Sequence, residues 1–202
     1  MKLYYSPGAC SLADHIALLE GGFEFELERV DLHQKITEFG ADFMTINPKG
    51  YVPALLLDSG EIVTENIAVL DWIAAQYPAL GLGGSMGRTR LLEALAFIST
   101  EIHKGFHAFF KGAVEEEKAA AEQMIVKRLR WIADRKVGRY LFSDEPTVAD
   151  FYLFVTLRWA EKFNIVVPEV LVALTIRMAE RPQVQSAIEF EEAPARRAAR
   201  VG

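Results

Sequence analysis

The sequence predicts an α/β domain followed by an all-α domain. The first part of the chain shows a β-α-β and then a β-β-α pattern, a glycine-rich uncharged stretch follows, and the remainder is helical almost throughout. We therefore divide the chain into an α/β domain (1–77), a linker with the sequence PALGLGGSMG (78–87) and an all-helical domain (88–190). The remaining residues, 191–202, form a basic tail that we expect to be frayed.

Each element of the α/β domain follows from a local pattern. Apolar residues at helical spacing begin at Leu12, and the double glycine at 21–22 ends that helix. Phenylalanine and leucine then alternate with glutamate, which is the period of a half-buried strand. Pro53 at the start of the third strand is compatible with a cis peptide bond. The predicted elements are strand 2–5, the helix from Leu12, strand 23–28, strands 52–57 and 61–64, and a helix that ends at Tyr77-Pro78.

Five helices are predicted after the linker. Thr147, with Asp150 three residues later, forms a helix-start pair immediately before a long apolar run. The predicted helices span 88–111, 115–136, 148–162, 169–180 and 182–190.

Composition and charge exclude several classes of protein. The chain has 202 residues and a formal net charge of −6, and an acidic surface repels phosphate, so we expect no nucleic-acid partner. We find no signal peptide and no uninterrupted apolar stretch of about 18 residues, so we expect a soluble, cytoplasmic protein with no membrane partner. Cys10 is the only cysteine and the histidines show no metal-ligand spacing, so we expect no metal site.

Cys10 is the first candidate for chemistry. It lies between a predicted strand and a predicted helix, where unpaired N–H groups and the helix dipole favour an anion. A thiolate there would have a lowered pKa. A small buried apolar residue is the other interpretation, and position alone leaves both open.

Two further segments are candidates. Thr64-Glu65-Asn66 starts a predicted helix, where N–H donors can bind a carboxylate and Glu65 can hold an ammonium group; ordinary helix capping is the alternative. His103 and Lys104 lie within a predicted helix. His103 could act as a proton carrier or orient a thiol, and the alternative is a hydrogen-bonded helix histidine.

Four motifs in register resemble the cytosolic glutathione S-transferase superfamily, and most closely its bacterial beta class. They are MKLYYSPGACSLADHIAL at the start, NPKGYVPALLLDSGEIVTEN at 47–66, EIHKG at 101–105 and PTVADFYLF at 146–154. The resemblance covers roughly residues 1–190. It implies the glutathione transferase fold, in which a thioredoxin-like α/β domain is joined to an all-helical domain, and it implies a homodimer.

The resemblance also implies a glutathione site. Val52, before Pro53, would pair with the cysteinyl part of glutathione, and Glu65 and Asn66 would receive the γ-glutamyl end. Lys35 would lie near the glycyl carboxylate. The implied catalytic residues are Cys10, Ser11 and His103, and the implied glutathione-binding residues are Cys10, Lys35, Val52, Pro53, Glu65, Asn66, Thr100, His103 and Lys104. Glutathione would be a co-substrate.

Three positions depart from the family pattern. Many beta-class sequences carry Trp-x-Asn where this chain has Ala94 and Ala96, so a polar contact to glutathione or to the partner chain is missing. Position 66 is asparagine where serine or glycine is more usual, and asparagine can still cap a helix and form hydrogen bonds.

The leading functional hypothesis is a detoxifying transferase that conjugates glutathione to a hydrophobic electrophile. Phe106, Phe109, Phe110 and Trp159 either line the pocket for that electrophile or belong to the core. A second hypothesis is thiol–disulfide exchange or reductive dehalogenation through a mixed disulfide of Cys10. A third is a non-catalytic glutathione-binding protein of the same fold.

Overall fold

The computed structural model describes residues 1–194. The strands are β1 (Lys2–Tyr5), β2 (Glu26–Asp31), β3 (Ile36–Thr37), β4 (Ala54–Leu56) and β5 (Ile62–Thr64). The helices are α1 (Ser11–Glu20), α2 (Phe43–Ile46), α3 (Asn66–Gln76), α4 (Gly87–Phe97), α5 (His107–Phe110), α6 (Glu115–Ala133), α7 (Val148–Lys162), α8 (Glu169–Ala179) and α9 (Pro182–Glu192). None of the helices within residues 1–194 is both long and apolar enough to cross a bilayer.

The strands that the structure describes form one mixed sheet in the order β3-β2-β1-β4-β5. β2 runs parallel to β1, whereas β4 runs antiparallel to β1 and β5 antiparallel to β4. Because side chains alternate along a strand, Leu3 and Tyr5 join the large core, while Tyr4 packs with Phe43 on the opposite face. The mixed sheet with its helices confirms the predicted thioredoxin-like domain. The Val52–Pro53 bond is cis.

The segment predicted as one helix over 88–111 is broken in the structure. α4 ends at Phe97, and the chain continues through a π-helical turn (Ile98–Ile102) and a 3₁₀ turn (His103–Phe106) into α5. Gly105 lies close to α6, because a Cβ at this position would be 2.8 Å from Ile125 Cγ1. Apolar spacing predicts helix, but it does not distinguish α from π or 3₁₀ hydrogen bonding, which depends here on packing against α6.

α7 is a central helix of the core, and most of its residues are buried. It packs against α1 and α3 of the α/β domain and against α4 and α8 of the helical domain. Its predicted start is confirmed, because Thr147 N–H donates to Asp150 Oδ2 at 2.8 Å. Asp150 also accepts from the N–H of Leu141 at 2.8 Å, and burial raises the pKa of this carboxyl to about 6. The helix-start pair therefore also fixes the preceding loop.

The last helix extends beyond its predicted end. α9 continues to Glu192, so the tail predicted to begin at 191 begins later. Glu191 is 3% exposed, and its carboxylate accepts a hydrogen bond from Gly8 N–H at 2.9 Å and contacts His15 Nδ1 at 3.1 Å. These partners hold the final turn against the α/β domain. The remainder of the predicted basic tail, 195–202, lies outside the described residues.

Candidate active site

A cleft of about 860 Å³ lies between the α/β domain and the helical domain. The α/β domain contributes the loop before α1, the residues before β4 and the start of α3. The helical domain contributes the 3₁₀ turn and one face of α7. Seven of the predicted site residues line it, namely Cys10, Val52, Pro53, Glu65, Asn66, His103 and Lys104.

Cys10 immediately precedes α1, and its side chain is partly exposed. Its Sγ donates to the carbonyl oxygen of Val52 at 3.7 Å. Burial, followed by the carboxyl of Asp14, raises the pKa of the thiol to about 12, and the N–H groups of Cys10 and Ser11 oppose the rise only in part. The expected lowering of the Cys10 pKa is therefore wrong. A helix N-terminus favours a thiolate, but here the loss of hydration outweighs it.

The helical domain holds the loop that precedes Cys10. The N–H of Gly8 donates to Glu191, and the carbonyl oxygen of Gly8 accepts from Trp159 Nε1 at 2.8 Å. Gly8 has a φ of +67°, a conformation that side-chain-bearing residues rarely adopt. Both peptide groups are thus fixed by residues more than 150 positions away in sequence, and no local pattern indicates such contacts.

Glu65 has its carboxylate at the rim of the cleft. Its Oε1 accepts from Lys49 Nζ at 2.5 Å and from Tyr51 Oη at 2.6 Å, and its side chain is 52% exposed. The bond from Lys49, followed by that from Tyr51, lowers the pKa of Glu65. Glu65 is therefore ionised at neutral pH and available to an ammonium group at the cleft.

Asn66 is buried at the start of α3 and joins that helix to α1. With its amide nitrogen facing Asp14, Asn66 donates to Asp14 Oδ2 at 2.7 Å and to the carbonyl oxygen of Cys10 at 3.1 Å. Asp14 is fully buried, its Oδ1 has no partner within the described residues, and burial raises its pKa well above the ordinary value. Asparagine at position 66 is therefore a structural link as well as a helix start.

His103 lies deep in the cleft beside Tyr152. Its Nδ1 is 2.6 Å from Tyr152 Oη, and its ring contacts Trp159 with 4.8 Å between centroids. Burial lowers the pKa of His103 to about 4, assisted by His107 and Lys104, and burial raises the pKa of Tyr152. The hydrogen bond thus joins a neutral phenol to a neutral imidazole. His103 is therefore hydrogen-bonded, and its role as a proton carrier or in orienting a thiol stays a prediction.

Three predicted site residues do not line the cleft. Ser11 is buried and hydrogen-bonds with the backbone of Ser6. Lys35 donates from Nζ to the carbonyl oxygen of Gly50 at 2.7 Å. Thr100 lines a separate groove between α4 and α6 and donates to the carbonyl oxygen of Ala96. The side chain of Ser99 lies at the cleft instead, since adjacent residues of a helical turn face different directions.

The aromatic residues proposed for the second pocket divide into two groups. Phe106 is fully buried and Phe109 packs against the core. Phe110 and Trp159 line the cleft, with their rings 5.2 Å apart at 88°. Residues that were not predicted also line the cleft, and on the helical domain these are Ser99, His107, Tyr152, Val155, Arg158 and Lys162. Five cleft residues lie on one stripe of α7, namely Tyr152, Val155, Arg158, Trp159 and Lys162, and their helical spacing is the signal that could have identified them.

Within residues 1–194, no group of three or more His, Cys, Asp or Glu side chains could hold a metal ion.

Two family models and several known proteins match this chain. The family model for the N-terminal domain of glutathione S-transferase matches residues 9–76, and that for the C-terminal domain matches 115–186. Glutathione S-transferase GstA of Escherichia coli O157:H7 is 43% identical over 198 residues, which cover 95% of this chain and 98% of that protein.

Solved structures show the same relationship. The structure of a sphingomonad glutathione S-transferase complexed with glutathione has a TM-score of 0.88 and 44% identity, and covers 96% of this chain and 100% of that one. A bacterial beta class glutathione S-transferase of Sphingomonas chungbukensis has a TM-score of 0.86 and 42% identity, with 95% and 99% coverage. This chain belongs to the glutathione S-transferase family, as the resemblance in its sequence implied.

Proposed function

We propose that this protein is a transferase that binds glutathione in the cleft and conjugates it to a hydrophobic electrophile. The observation that carries the proposal is the convergence of Cys10, Val52, Glu65 and Asn66 from one domain with His103 from the other. A similar structure is complexed with glutathione, which supports this assignment of the cleft. In this proposal residues 1–77 form the glutathione-binding domain and 88–190 the main part of the helical domain.

The two ends of glutathione find complementary charges. The ionised carboxylate of Glu65 pairs with the γ-glutamyl ammonium, and the N–H groups at the start of α3 receive the adjacent carboxylate. Lys104 is exposed at the cleft and pairs with the glycyl carboxylate, a contact for which Lys35 is also a candidate by resemblance. The backbone of Val52 pairs with the cysteinyl part, as an extended peptide pairs with a strand edge.

The thiol of glutathione is activated by hydrogen bonds in the cleft. Cys10 is protonated at neutral pH, so its S–H group can donate a hydrogen bond. When glutathione binds, this group donates to the glutathione sulfur instead of the carbonyl oxygen of Val52, which favours the thiolate of glutathione. Each unit by which that pKa falls corresponds to about 1.4 kcal/mol. The thiolate attacks the electrophilic carbon, a carbon–sulfur bond forms, the leaving group departs with its electron pair, and the thiol proton passes to solvent.

Retention on immobilised glutathione and turnover of 1-chloro-2,4-dinitrobenzene test the proposal. We expect retention and chloride release, and Cys10→Ala should keep part of the activity because the glutathione sulfur is the nucleophile. Glu65→Ala should lose retention, whereas Glu61→Ala, an exposed carboxylate outside the cleft, should keep it. Binding without turnover would favour the non-catalytic alternative. Activity that disappears entirely in Cys10→Ala would favour chemistry through a mixed disulfide.

We further propose a homodimer that acts in the cytoplasm in detoxification. The groove between α4 and α6 carries Phe97 stacked on Trp131, with 4.5 Å between centroids, and Trp131 is 42% exposed. A second copy covering this groove would also place Thr100 at the interface. Light scattering at micromolar concentration should give twice the chain mass, and Trp131→Glu should lower it. A monomeric wild type would contradict the dimer.

A further inference from the structure

The helical side of the cleft is basic although the whole chain carries a net charge of −6. Lys104, Arg158 and Lys162 all line the cleft. Among the described residues, Glu65 is the only carboxylate that lines it, and this side chain is already paired with Lys49. The local charge is therefore opposite in sign to that of the protein as a whole, and it attracts anions into the cleft.

Glutathione accounts for only part of this positive charge. In the proposed function, the start of α3 and Lys104 bind the two carboxylates of glutathione. The other two cations of the cleft, Arg158 and Lys162 on α7, then have no partner in glutathione. These two residues are four positions apart, so they lie on one face of the helix. They flank Trp159, which also lines the cleft, and neither is needed for glutathione in the proposed function.

Neither cation is fully committed to another group. Lys162 has no ion pair within the part of the chain that the structure describes, and its Nζ lies 5.8 Å from the ring centroid of Phe110. Arg158 contacts Glu192 at 3.2 Å, but the side chain of Glu192 is 67% exposed. Surface pairs of this kind contribute little and exchange easily. Both cations are therefore available to a carboxylate of a ligand.

An apolar surface adjoins these cations. Phe110 is 47% exposed, its ring meets Trp159 nearly edge-on, and Val155 lies on the same stripe of α7. An exposed aromatic face next to two cations is complementary to a flat apolar group that carries a negative charge.

We propose that the electrophile of this enzyme is an aromatic or similarly flat molecule that bears a carboxylate. Its ring lies against Phe110 and Trp159, and its carboxylate pairs with Lys162 and Arg158. This inference rests on the proposed function and specifies its substrate class. The reaction itself is unchanged: the glutathione sulfur bonds to carbon and the leaving group departs as an anion.

A matched pair of aryl chlorides tests the inference, namely 4-chloro-3,5-dinitrobenzoate and its carboxamide. Each kcat/KM is divided by the uncatalysed rate constant with glutathione, which removes the difference in intrinsic reactivity. At low salt we expect a preference of about tenfold for the carboxylate, because charge-assisted hydrogen bonds in a partly shielded site are stronger than exposed ones. The preference should decline at high salt.

Variants assign the preference to the two cations. Lys162→Gln combined with Arg158→Gln should reduce it to about twofold or less while the Kd for glutathione alone is unchanged, since a charged group contributes to the preference only while the charge is present. Lys127 lies on α6, outside the cleft. Lys127→Gln removes one positive charge, as each of the two cleft substitutions does, and should keep the preference. Equal use of both chlorides by the wild type, a preference that survives in the double variant, or weaker binding of glutathione itself in that variant would overturn the inference.

A binding measurement separates this inference from the proposed function. The S-aryl glutathione conjugates of the two chlorides are prepared chemically and titrated by calorimetry. Absence of turnover with 1-chloro-2,4-dinitrobenzene contradicts the transferase function, whereas a carboxylate conjugate that binds about tenfold more tightly, in a manner that depends on Lys162 and Arg158, supports carboxylate recognition in the cleft independently of turnover. Equal affinity of the two conjugates overturns the inference.

Discussion

The protonation state of Cys10 is a decisive property of this site, and alkylation measures it directly. The chain has one cysteine, so alkylation of a thiol reports Cys10 alone. Burial raises its pKa from 9.0 to about 12. At pH 8 this shift reduces the thiolate fraction roughly thousandfold. A more basic thiolate is also more nucleophilic, which recovers roughly 15- to 30-fold. We therefore expect the native protein to react with iodoacetamide roughly 30- to 60-fold more slowly than an unperturbed cysteine.

The assay follows intact mass against time from pH 7 to pH 10. The same chain unfolded in guanidinium chloride provides the reference, because its only cysteine is then hydrated and ordinary. The native rate should rise about tenfold for each pH unit over the whole range, whereas the unfolded rate should level off above about pH 9. This difference in shape distinguishes a raised pKa from steric protection, which would slow the native reaction without moving its midpoint.

A native curve that levels off near pH 9 would refute the raised pKa, even if the reaction were slow. A native rate at pH 7 above that of the unfolded chain would show a stabilised thiolate. In that case Cys10 would be a nucleophile, and the mixed-disulfide chemistry would replace the hydrogen-bonding role proposed for its S–H.

Three further predictions concern groups around the cleft. Asn66→Ala should lower the free energy of unfolding by about 2 kcal/mol, because the buried Asp14 carboxyl loses its donor; an unchanged urea midpoint would contradict the link between α1 and α3. Glu191→Ala should lower it by about 2–4 kcal/mol, because the Gly8 N–H is left without an acceptor, and hydrogen exchange at Gly8 should accelerate; unaltered exchange would argue against the clamp. His103 should remain neutral from pH 8 down to about pH 5, since burial lowers its pKa to about 4; an NMR titration with a midpoint near the ordinary value of 6.5 would disprove this.

Local patterns in the sequence determined the two-domain architecture. Alternation over 23–28 predicted β2 within a few residues, and the Thr147 and Asp150 pair predicted the first turn of α7. Such features depend on side-chain periodicity and on short hydrogen bonds between neighbours in sequence. The four motifs likewise indicated the family, because they contain the residues that lie at the start of α1, before β4 and at the start of α3, in the 3₁₀ turn and at α7.

Tertiary structure alone decided the chemical state of the candidate site. The position of Cys10 before α1 favours a thiolate, yet the domains enclose it and burial reverses the shift. Glu191 and Trp159 hold Gly8 across separations that no pattern of periodicity reaches. Thr100 lies in the π turn after α4 and faces another groove. The hydration and charge around a residue, and the direction in which its side chain faces, depend on groups that only folding brings close. The sequence therefore predicts which residues form the site but does not predict how they ionise.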